Sequence, residues 1–242
     1  MARENPTWGY DRLQGALKNF GHVVCPDTIK AILVRNGIQP APDRGRRTPW
    51  KTFLNAHARS IFAADFFTTE VWTWRGLVTH YILFVIYHAT RAVRIVGTTV
   101  HPGELFMEQI AKLLTDPVDG FLRHAKYLII DRDRRFTAKF RAVLRDSGVR
   151  ALPISASAPN CNAYAQRFVK SIKDECLDTM IFFGTGSLDC ALREYEAHYL
   201  GERNHQGIGN ELIEPVLGES EGIVRRRERL GGILNHYHRR AA

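Results

Sequence analysis

The segment IFAADFF, residues 61–67, is an apolar run interrupted by one acid, Asp65. Short apolar runs bounded by polar residues are typical of buried β-strands. The segment YLIID, residues 127–131, has the same character, because Asp131 directly follows a second buried run. A carboxylate in such a place costs free energy unless it is paired or bound to a cation. Asp65 and Asp131 are therefore candidates for a functional acid pair, with a turn-capping or purely structural role as the open alternative for each.

Strand-like and helical patterns alternate around these two segments. Strand patterns cover residues 60–67, 77–88, 91–99, 127–131 and 149–153, and helical patterns cover residues 104–114, 137–147, 163–177 and 188–200. The second and third strands are separated by little more than a turn, which predicts antiparallel neighbours. Three strands followed by alternating helices and strands predict an α/β fold with a mixed sheet flanked by helices. Ser187 is the expected N-cap of the last helix.

Two short helices are predicted at the N-terminal end, at residues 9–20 and 26–36. Pro26 suits the first turn of the second helix, and Gly37 follows its end. The pair predicts a helix-turn-helix-like DNA-binding segment over residues 1–38, with Lys30 and Arg35 available to phosphate. A helical hairpin that binds nothing fits these residues equally well. Residues 39–57 are interpreted as a basic linker, in which Arg46 and Arg47 are candidate DNA contacts.

The chain carries a formal net charge of +9 over 242 residues. Such a surplus favours a polyanionic partner, although a merely soluble basic protein is the alternative. The first nine residues have no apolar core of a secretory segment, and the apolar run at residues 81–87 is too short to span a bilayer. We therefore expect no membrane partner. The four cysteines, Cys25, Cys161, Cys176 and Cys190, form no C-x-x-C pair, so free thiols are expected rather than zinc.

Five motifs together resemble the catalytic core shared by retroviral integrases and related insertion-sequence transposases. They are NPTWGY at 5–10, AADFF at 63–67, DRDRRF at 131–136, PNCNAYAQRFVKSIKDECL at 159–177 and ERNHQG at 202–207. The resemblance covers about residues 7–210. It implies a ribonuclease-H-like fold, a five-stranded mixed sheet with helices on both faces. It also implies a catalytic core at 58–203 and a basic C-terminal extension at 204–242, and the N-terminal segment resembles the middle of a longer helical DNA-binding region.

The family carries three acids, two at strand ends and a glutamate on a helix about thirty-five residues after the second. Asp65 and Asp131 match the first two. Where the family has Ala-x-x-Glu-Arg-Phe, this chain has AYAQRF at 163–168, so Gln166 occupies the third position. The resemblance implies two Mg²⁺ or Mn²⁺ ions in an active member, which assist in-line displacement at phosphorus. Glutamine keeps a carbonyl oxygen but loses the charge, so the second ion is expected to bind poorly.

Three other acids were considered as replacements for the missing glutamate. Asp133 lies in the turn after Asp131, where its position is open, and Asp174 and Glu175 lie two turns beyond Gln166 on the same helix. Asp174 is about 80° round the helix and roughly 12 Å along it, and Glu175 points to the opposite side. Both are interpreted as surface acids rather than ligands.

Lys170 and Lys173 share a helix face with Gln166. The resemblance implies that they lie against a DNA end, whereas solvated lysines would look the same in sequence. The loop at 155–162 resembles the family's active-site loop. The arginine-rich segment at 223–240 is either a DNA-binding arm or a solvated tail.

The sequence thus predicts a transposase or integrase for DNA integration and recombination, impaired by Gln166, that cleaves element ends and joins them to target duplex. The resemblance implies a homo-oligomer on DNA in the bacterial cytoplasm, associated with the nucleoid when bound, with no small-molecule cofactor. The alternatives are a catalytically inactive DNA-binding protein derived from a transposase and a ribonuclease-H-like hydrolase.

Overall fold

The structure is a computed structural model, and it describes residues 1–5, 8–38, 54, 56–154, 163–215 and 222–240. The chain divides into two compact units, Met1–His57 and Ala58–Ala242. Most of the predicted linker, including Arg46 and Arg47, lies outside the described residues. So does the predicted active-site loop at 155–162, with Cys161.

The first unit contains the predicted helical pair, α1 at Tyr10–Asn19 and α2 at Pro26–Arg35. Pro26 occupies the first turn of α2, as predicted. Leu13 packs with Ile29 and Leu33 in a small core. Phe20 and Ile32 lie outside this core and are exposed. Phe20 follows the last residue of α1, and the core is too narrow to cover Ile32 beside Leu33.

The second unit is an α/β domain with a C-terminal hairpin. Its strands are β1 (Ile61–Thr73), β2 (Gly76–Tyr87), β3 (Val93–Thr99), β4 (Tyr127–Ile130), β5 (Arg150–Pro153), β6 (Phe182–Phe183), β7 (Ile223–Arg229) and β8 (Leu234–Arg240), and its helices are α3 (Glu104–Leu114), α4 (Ala138–Asp146), α5 (Ala163–Glu175) and α6 (Gly184–Gly201). No helix in the described ranges is both long and apolar enough to cross a membrane.

The main sheet has the strand order β3-β2-β1-β4-β5. Strands β1, β2 and β3 are antiparallel neighbours, whereas β1 pairs with β4, and β4 with β5, in parallel. This confirms the five-stranded mixed sheet of a ribonuclease-H-like fold. The two-residue strand β6 adds a parallel pairing to the far end of β1. Strand β1 runs to Thr73 rather than Phe67, because its second half pairs with the first half of β2 although it lacks an apolar run.

Helices cover both faces of the sheet. On one face, Phe62 and Ala64 pack with Met107 of α3 and Phe140 of α4. The Thr137 hydroxyl caps α4 by accepting from the Phe140 N–H at 3.2 Å.

On the other face, Phe168 of α5 packs against aromatic side chains from the sheet and from α6. Its ring centroid lies 4.7 Å from that of Phe84, 6.5 Å from that of Phe67 and 5.0 Å from that of Tyr199. This seam fixes α5 on the sheet face that Phe67 shares with Asp65, two residues earlier.

The start of α6 differs from the prediction that Ser187 caps it. The helix begins at Gly184, whose φ of +73° lets the chain turn sharply out of β6. Ser187 lies in the first turn, where its hydroxyl donates to the carbonyls of Phe183 and Gly184.

The arginine-rich C-terminal segment is a β-hairpin of β7 and β8. Arg229 of β7 donates to Glu202 at the end of α6, at 2.8 Å from both Nε and Nη2, and to Glu194 at 2.6 Å. The hairpin is therefore attached to the domain and is not a solvated tail. Among the described cysteines, Cys25, Cys176 and Cys190 are free thiols, as predicted.

Candidate active site and nucleic-acid surfaces

Asp65 belongs to β1, and Asp131 directly follows β4, the parallel neighbour of β1. The pairing of β1 with β4 runs from Ile61 opposite Tyr127 to Ala63 opposite Ile129. Asp65 and Asp131 each stand two residues beyond that last pair, so they continue the same register. Because side chains alternate along a strand, both aspartates are directed toward the face covered by α5.

Burial and the charges of neighbouring carboxylates raise the pKa of both carboxyl groups. The pKa of Asp65 is raised to about 6, first by burial and then by the charges of Asp131 and Asp133, against the opposing hydrogen bond from the Phe66 N–H at 2.8 Å. Burial likewise raises the pKa of Asp131, whose Oδ1 accepts from the Asp133 N–H at 3.0 Å. The site therefore concentrates negative charge where water solvates it poorly.

Asp133 is paired with Arg135 and is not a free third carboxylate. Its Oδ2 accepts from Nε of Arg135 at 2.7 Å and also contacts Nη2, and its Oδ1 accepts from the Arg135 backbone N–H at 2.8 Å. These bonds lower the pKa of Asp133. The Arg135 guanidinium also lies over the rings of Phe66 and Tyr81, at 4.8 and 4.9 Å.

Sequence reasoning missed Arg135, although the motif DRDRRF contained it. Its positive charge opposes the upward pKa shifts of Asp65 and Asp131. A fixed cation is thus part of this acidic site.

Gln166 lies near the start of α5, and its side chain is exposed. Helix α5 packs through Phe168 on the sheet face to which Asp65 belongs. Convergence of Gln166 with the two aspartates on one metal site stays a prediction. Lys170 is exposed and Lys173 is half-buried on the same helix.

The two later acids of α5 differ in their surroundings. Asp174 is exposed, as predicted. The prediction of a surface acid is wrong for Glu175, which is half-buried, accepts from Nε and Nη2 of Arg203 and accepts from the Tyr195 hydroxyl at 3.1 Å. Glu175 is engaged in the packing between α5 and α6, because its partners come from that side of the domain.

The available carboxylate ligands limit which metal ions this site can hold. Within the part of the chain that the structure describes, no group of three or more His, Cys, Asp or Glu side chains is arranged to hold a metal ion. Asp65 and Asp131 are two hard oxygen donors whose raised pKa values show electrostatic strain that a divalent cation would relieve. Two carboxylates fit one Mg²⁺ better than two.

The predicted DNA contacts lie on both units. Lys30 and Arg35 are exposed on α2, as they must be to meet phosphate. In the second unit, the hairpin adds the exposed side chains of Arg225, Arg226 and Arg239. Arg226 contacts Glu228, so its charge is partly neutralised.

Fold and site together define a ribonuclease-H-like domain with an acid pair on its central parallel strands. Residues 147–211 match the family model described as Integrase core domain. This part of the chain is therefore similar to an integrase core domain, in agreement with the motifs at its end of the sequence. The matched residues include Gln166 and Lys170 but neither aspartate.

Solved structures similar to this chain include two retroviral integrase cores. The catalytic core domain of BIV integrase in crystal form I is 14% identical with a TM-score of 0.45, covering 64% of this chain and 91% of its own. The HTLV-2 integrase catalytic core domain in complex with magnesium, in its trimeric form, is 9% identical with a TM-score of 0.46, covering 64% and 93%. No curated protein sequence matches the chain.

Proposed function

We propose that this chain is a DNA transposase or integrase that breaks and joins phosphodiester bonds with the help of a divalent cation. The observation that carries the proposal is that Asp65 on β1 and Asp131 directly after the parallel neighbour β4 face each other electrostatically, with pKa values raised by burial and by neighbouring carboxylates. Two desolvated carboxylates at one edge are costly for the fold alone, which favours a cation-binding role.

Asp65 and Asp131 would hold Mg²⁺ or Mn²⁺, which when bound supplies Lewis-acid stabilisation of charge on the reacting phosphate. Gln166 would orient the phosphate group or contribute one neutral oxygen. Because it lacks a negative charge, it supports the second ion of a two-ion site poorly. We therefore expect little cleavage of element ends by the chain as it stands.

DNA would be positioned by basic side chains of both units. Lys170 and Lys173 project from the helix face that carries Gln166, and Lys30 and Arg35 belong to the helical pair. The ligands would be element ends and target duplex, bound by a homo-oligomer in the bacterial cytoplasm and at the nucleoid. Non-specific binding should fall steeply with salt, since each lysine or arginine on phosphate releases counterions.

The decisive experiment measures 3′-end nicking of a labelled element-end oligonucleotide in Mg²⁺ and in Mn²⁺. The unmodified chain, Gln166→Glu, and Gln166→Glu combined with Asp65→Asn are compared at equal concentration. We expect little nicking by the first, restored nicking by the second and none by the third. Misplacement of the phosphate by about 1 Å can cost a hundredfold, so the restored rate should exceed the parent's by at least that factor.

A second candidate function is DNA binding without catalysis. It is favoured by the Arg135–Asp133 pair, which places a fixed cation beside the acids, together with Gln166. Under this alternative, Gln166→Glu produces no nicking in either metal, while salt-dependent binding of duplex DNA is retained. Brisk nicking by the unmodified chain would instead mean that the assignment of Gln166 is wrong.

A further inference from the structure

A cavity of about 460 Å³ lies on the side of α5 away from Gln166. Its walls come from the turn between β2 and β3, from α5, from α6 and from the segment after α6. The α5 residues that line it are Tyr164, Arg167 and Ser171. Arg167 is 100° round the helix from Gln166, and Ser171 and Tyr164 are further still. The cavity is therefore distinct from the acid pair.

Arg91 enters this cavity from a strained turn. Its backbone has a φ of +70°, in a region that favours glycine, and the turn is closed by Arg91 N–H donating to the Tyr87 carbonyl at 2.9 Å. An arginine at such a position costs free energy in the folded state. The strain is local, so glycine would adopt the same backbone more easily.

The Arg91 guanidinium is also buried without adequate polar contacts. Its Nε and Nη1 are inaccessible to solvent and have no hydrogen-bond acceptor among the described residues. The guanidinium carbon lies 3.0 Å from the centroid of the Tyr164 ring. Buried donors of this kind are normally satisfied, so the pair of orphaned nitrogens indicates an acceptor that occupies the cavity in the functional protein.

The charges around the cavity indicate that this acceptor carries a negative charge. Burial, followed by the charge of Arg167, lowers the pKa of Arg91 to about 10. Arg203 is neutralised by Glu175, whereas no carboxylate pairs with Arg91 or Arg167 within the described ranges.

Two histidines contact the same region, and neither contributes charge at neutral pH. Burial lowers the pKa of both His88 and His205 below the ordinary range for histidine. Within the described ranges, the cavity therefore presents two guanidinium groups, those of Arg91 and Arg167, that no carboxylate neutralises, and the first of them is partly desolvated.

We propose that this cavity binds a phosphate oxyanion, held by the guanidinium groups of Arg91 and Arg167 with the Ser171 hydroxyl as an additional donor. An oxyanion would satisfy the buried nitrogens of Arg91 and remove the repulsion between the two arginines. Free phosphate and a DNA backbone phosphodiester present the same chemistry. The DNA source rests on the proposed function and would place a strand on the far side of α5 from the acid pair.

The first test is thermal unfolding in phosphate against chloride of the same ionic strength. At roughly tenfold excess over the Kd, phosphate should raise the Tm of the parent chain by about 3–6 °C. Arg91→Gln should abolish that rise. Arg94→Gln is the matched control, because Arg94 belongs to the same hairpin but is 59% exposed and pairs with Glu196. It should keep the full rise.

Arg91→Gly tests whether Arg91→Gln loses the phosphate effect only because it misfolds. Glycine fits the φ of +70° without strain, so this variant should unfold at a higher temperature than the parent in chloride and yet show no rise in phosphate. An equal phosphate-induced rise in the parent, Arg91→Gln and Arg91→Gly would overturn the proposal. So would the absence of any rise in the parent.

A second arm identifies the source of the phosphate. If the site takes DNA, Arg91→Gln should lower the slope of log affinity against log salt for duplex DNA by about 0.9, the loss of one phosphate contact. If Arg91→Gln loses the phosphate-induced rise in Tm but keeps the salt slope for duplex DNA, free phosphate is the ligand. Failure of Gln166→Glu to restore nicking would leave the phosphate shift intact, so the two proposals fail separately.

Discussion

Replacing Glu202 by glutamine should destabilise the second unit through its attachment to the C-terminal hairpin. The Glu202 side chain is only 6% exposed. It accepts two bonds from Arg229 at 2.8 Å, one from Nη1 of Arg227 at 3.2 Å, and contacts Nδ1 of His198 at 3.2 Å. Glu202→Gln keeps the shape of the side chain but leaves the guanidinium of Arg229 with less compensating charge in a poorly solvated place.

The magnitude follows from the shift in protonation of Glu202. Burial raises its pKa, but the hydrogen bonds from Arg229, His198 and Arg227 outweigh that effect and lower the pKa from 4.5 to about 2. At 1.36 kcal/mol per unit, the ionised form contributes about 3 kcal/mol to the free energy of unfolding. Glu202→Gln should therefore lower the Tm at pH 7 by roughly 6–12 °C in a protein of this size.

The pH dependence of this loss has a definite sign. Because the folded-state pKa is lowered, the stabilisation is present above pH 4.5 and is lost as pH falls toward about 2. The difference in stability between parent and Glu202→Gln should be full at pH 7 and should shrink through this window. Calorimetry at several pH values measures it.

Glu194→Gln is the matched control. Glu194 is 38% exposed and contacts Arg229 once, through Nη1 at 2.6 Å. A pair of this kind contributes at most about 1 kcal/mol. Equal losses for Glu194→Gln and Glu202→Gln, or a Glu202→Gln loss that does not change between pH 7 and pH 3, would refute the role assigned to burial.

Three further outcomes are expected. Asp65→Asn should raise the Tm in metal-free buffer, because it removes a desolvated charge facing Asp131, and should abolish the rise that Mg²⁺ gives the parent, as thermal unfolding with and without Mg²⁺ would show. Replacing Lys170 and Lys173 together by alanine should weaken binding to all DNA sequences alike and lower the salt slope by about 2, measured by fluorescence anisotropy. Thr137→Ala should cost about 1 kcal/mol of stability in urea unfolding, through loss of the α4 cap, whereas Ser147→Ala at the other end should not.

The sheet could be predicted from sequence because its determinants are local. The apolar runs around Asp65 and Asp131 specify buried strands whatever lies beside them, and the predicted α3 agrees with Glu104–Leu114 at both ends. The second half of β1 could not be predicted in this way, since residues 68–73 form a strand only through pairing with β2. The hairpin of β7 and β8 was missed for a related reason, because three consecutive arginines at 225–227 interrupt any alternation of apolar and polar residues there.

The candidate site was predictable in its residue types but not in its charge balance. The strand acids could be found from Asp65 and Asp131 alone, because a charge inside an apolar run is conspicuous. The pairing of Arg135 with Asp133, and of Arg203 with Glu175, depends on tertiary contacts or on turn geometry that no spacing rule reveals. Arg91 could not be singled out from sequence, since what marks it is a positive φ angle and two buried nitrogens without acceptors.

Helix α5 lies between the acid pair and the arginine cavity. A charge changed on one side of the helix can therefore be distinguished from a charge changed on the other. Phe168 lies in the buried seam, and Gln166 and Arg167 lie on either side of it, about 160° and 100° round the helix respectively. In the proposed site, a charge introduced by Gln166→Glu adds to the field at Asp65. Arg91→Gln removes a charge from the cavity on the other side of the helix. Changes at Phe168 would disturb both sites at once, because both depend on how α5 sits on the sheet. Loss of nicking with an unchanged phosphate-induced Tm shift would thus locate a defect at the acid pair, and simultaneous loss of both would locate it in the seam.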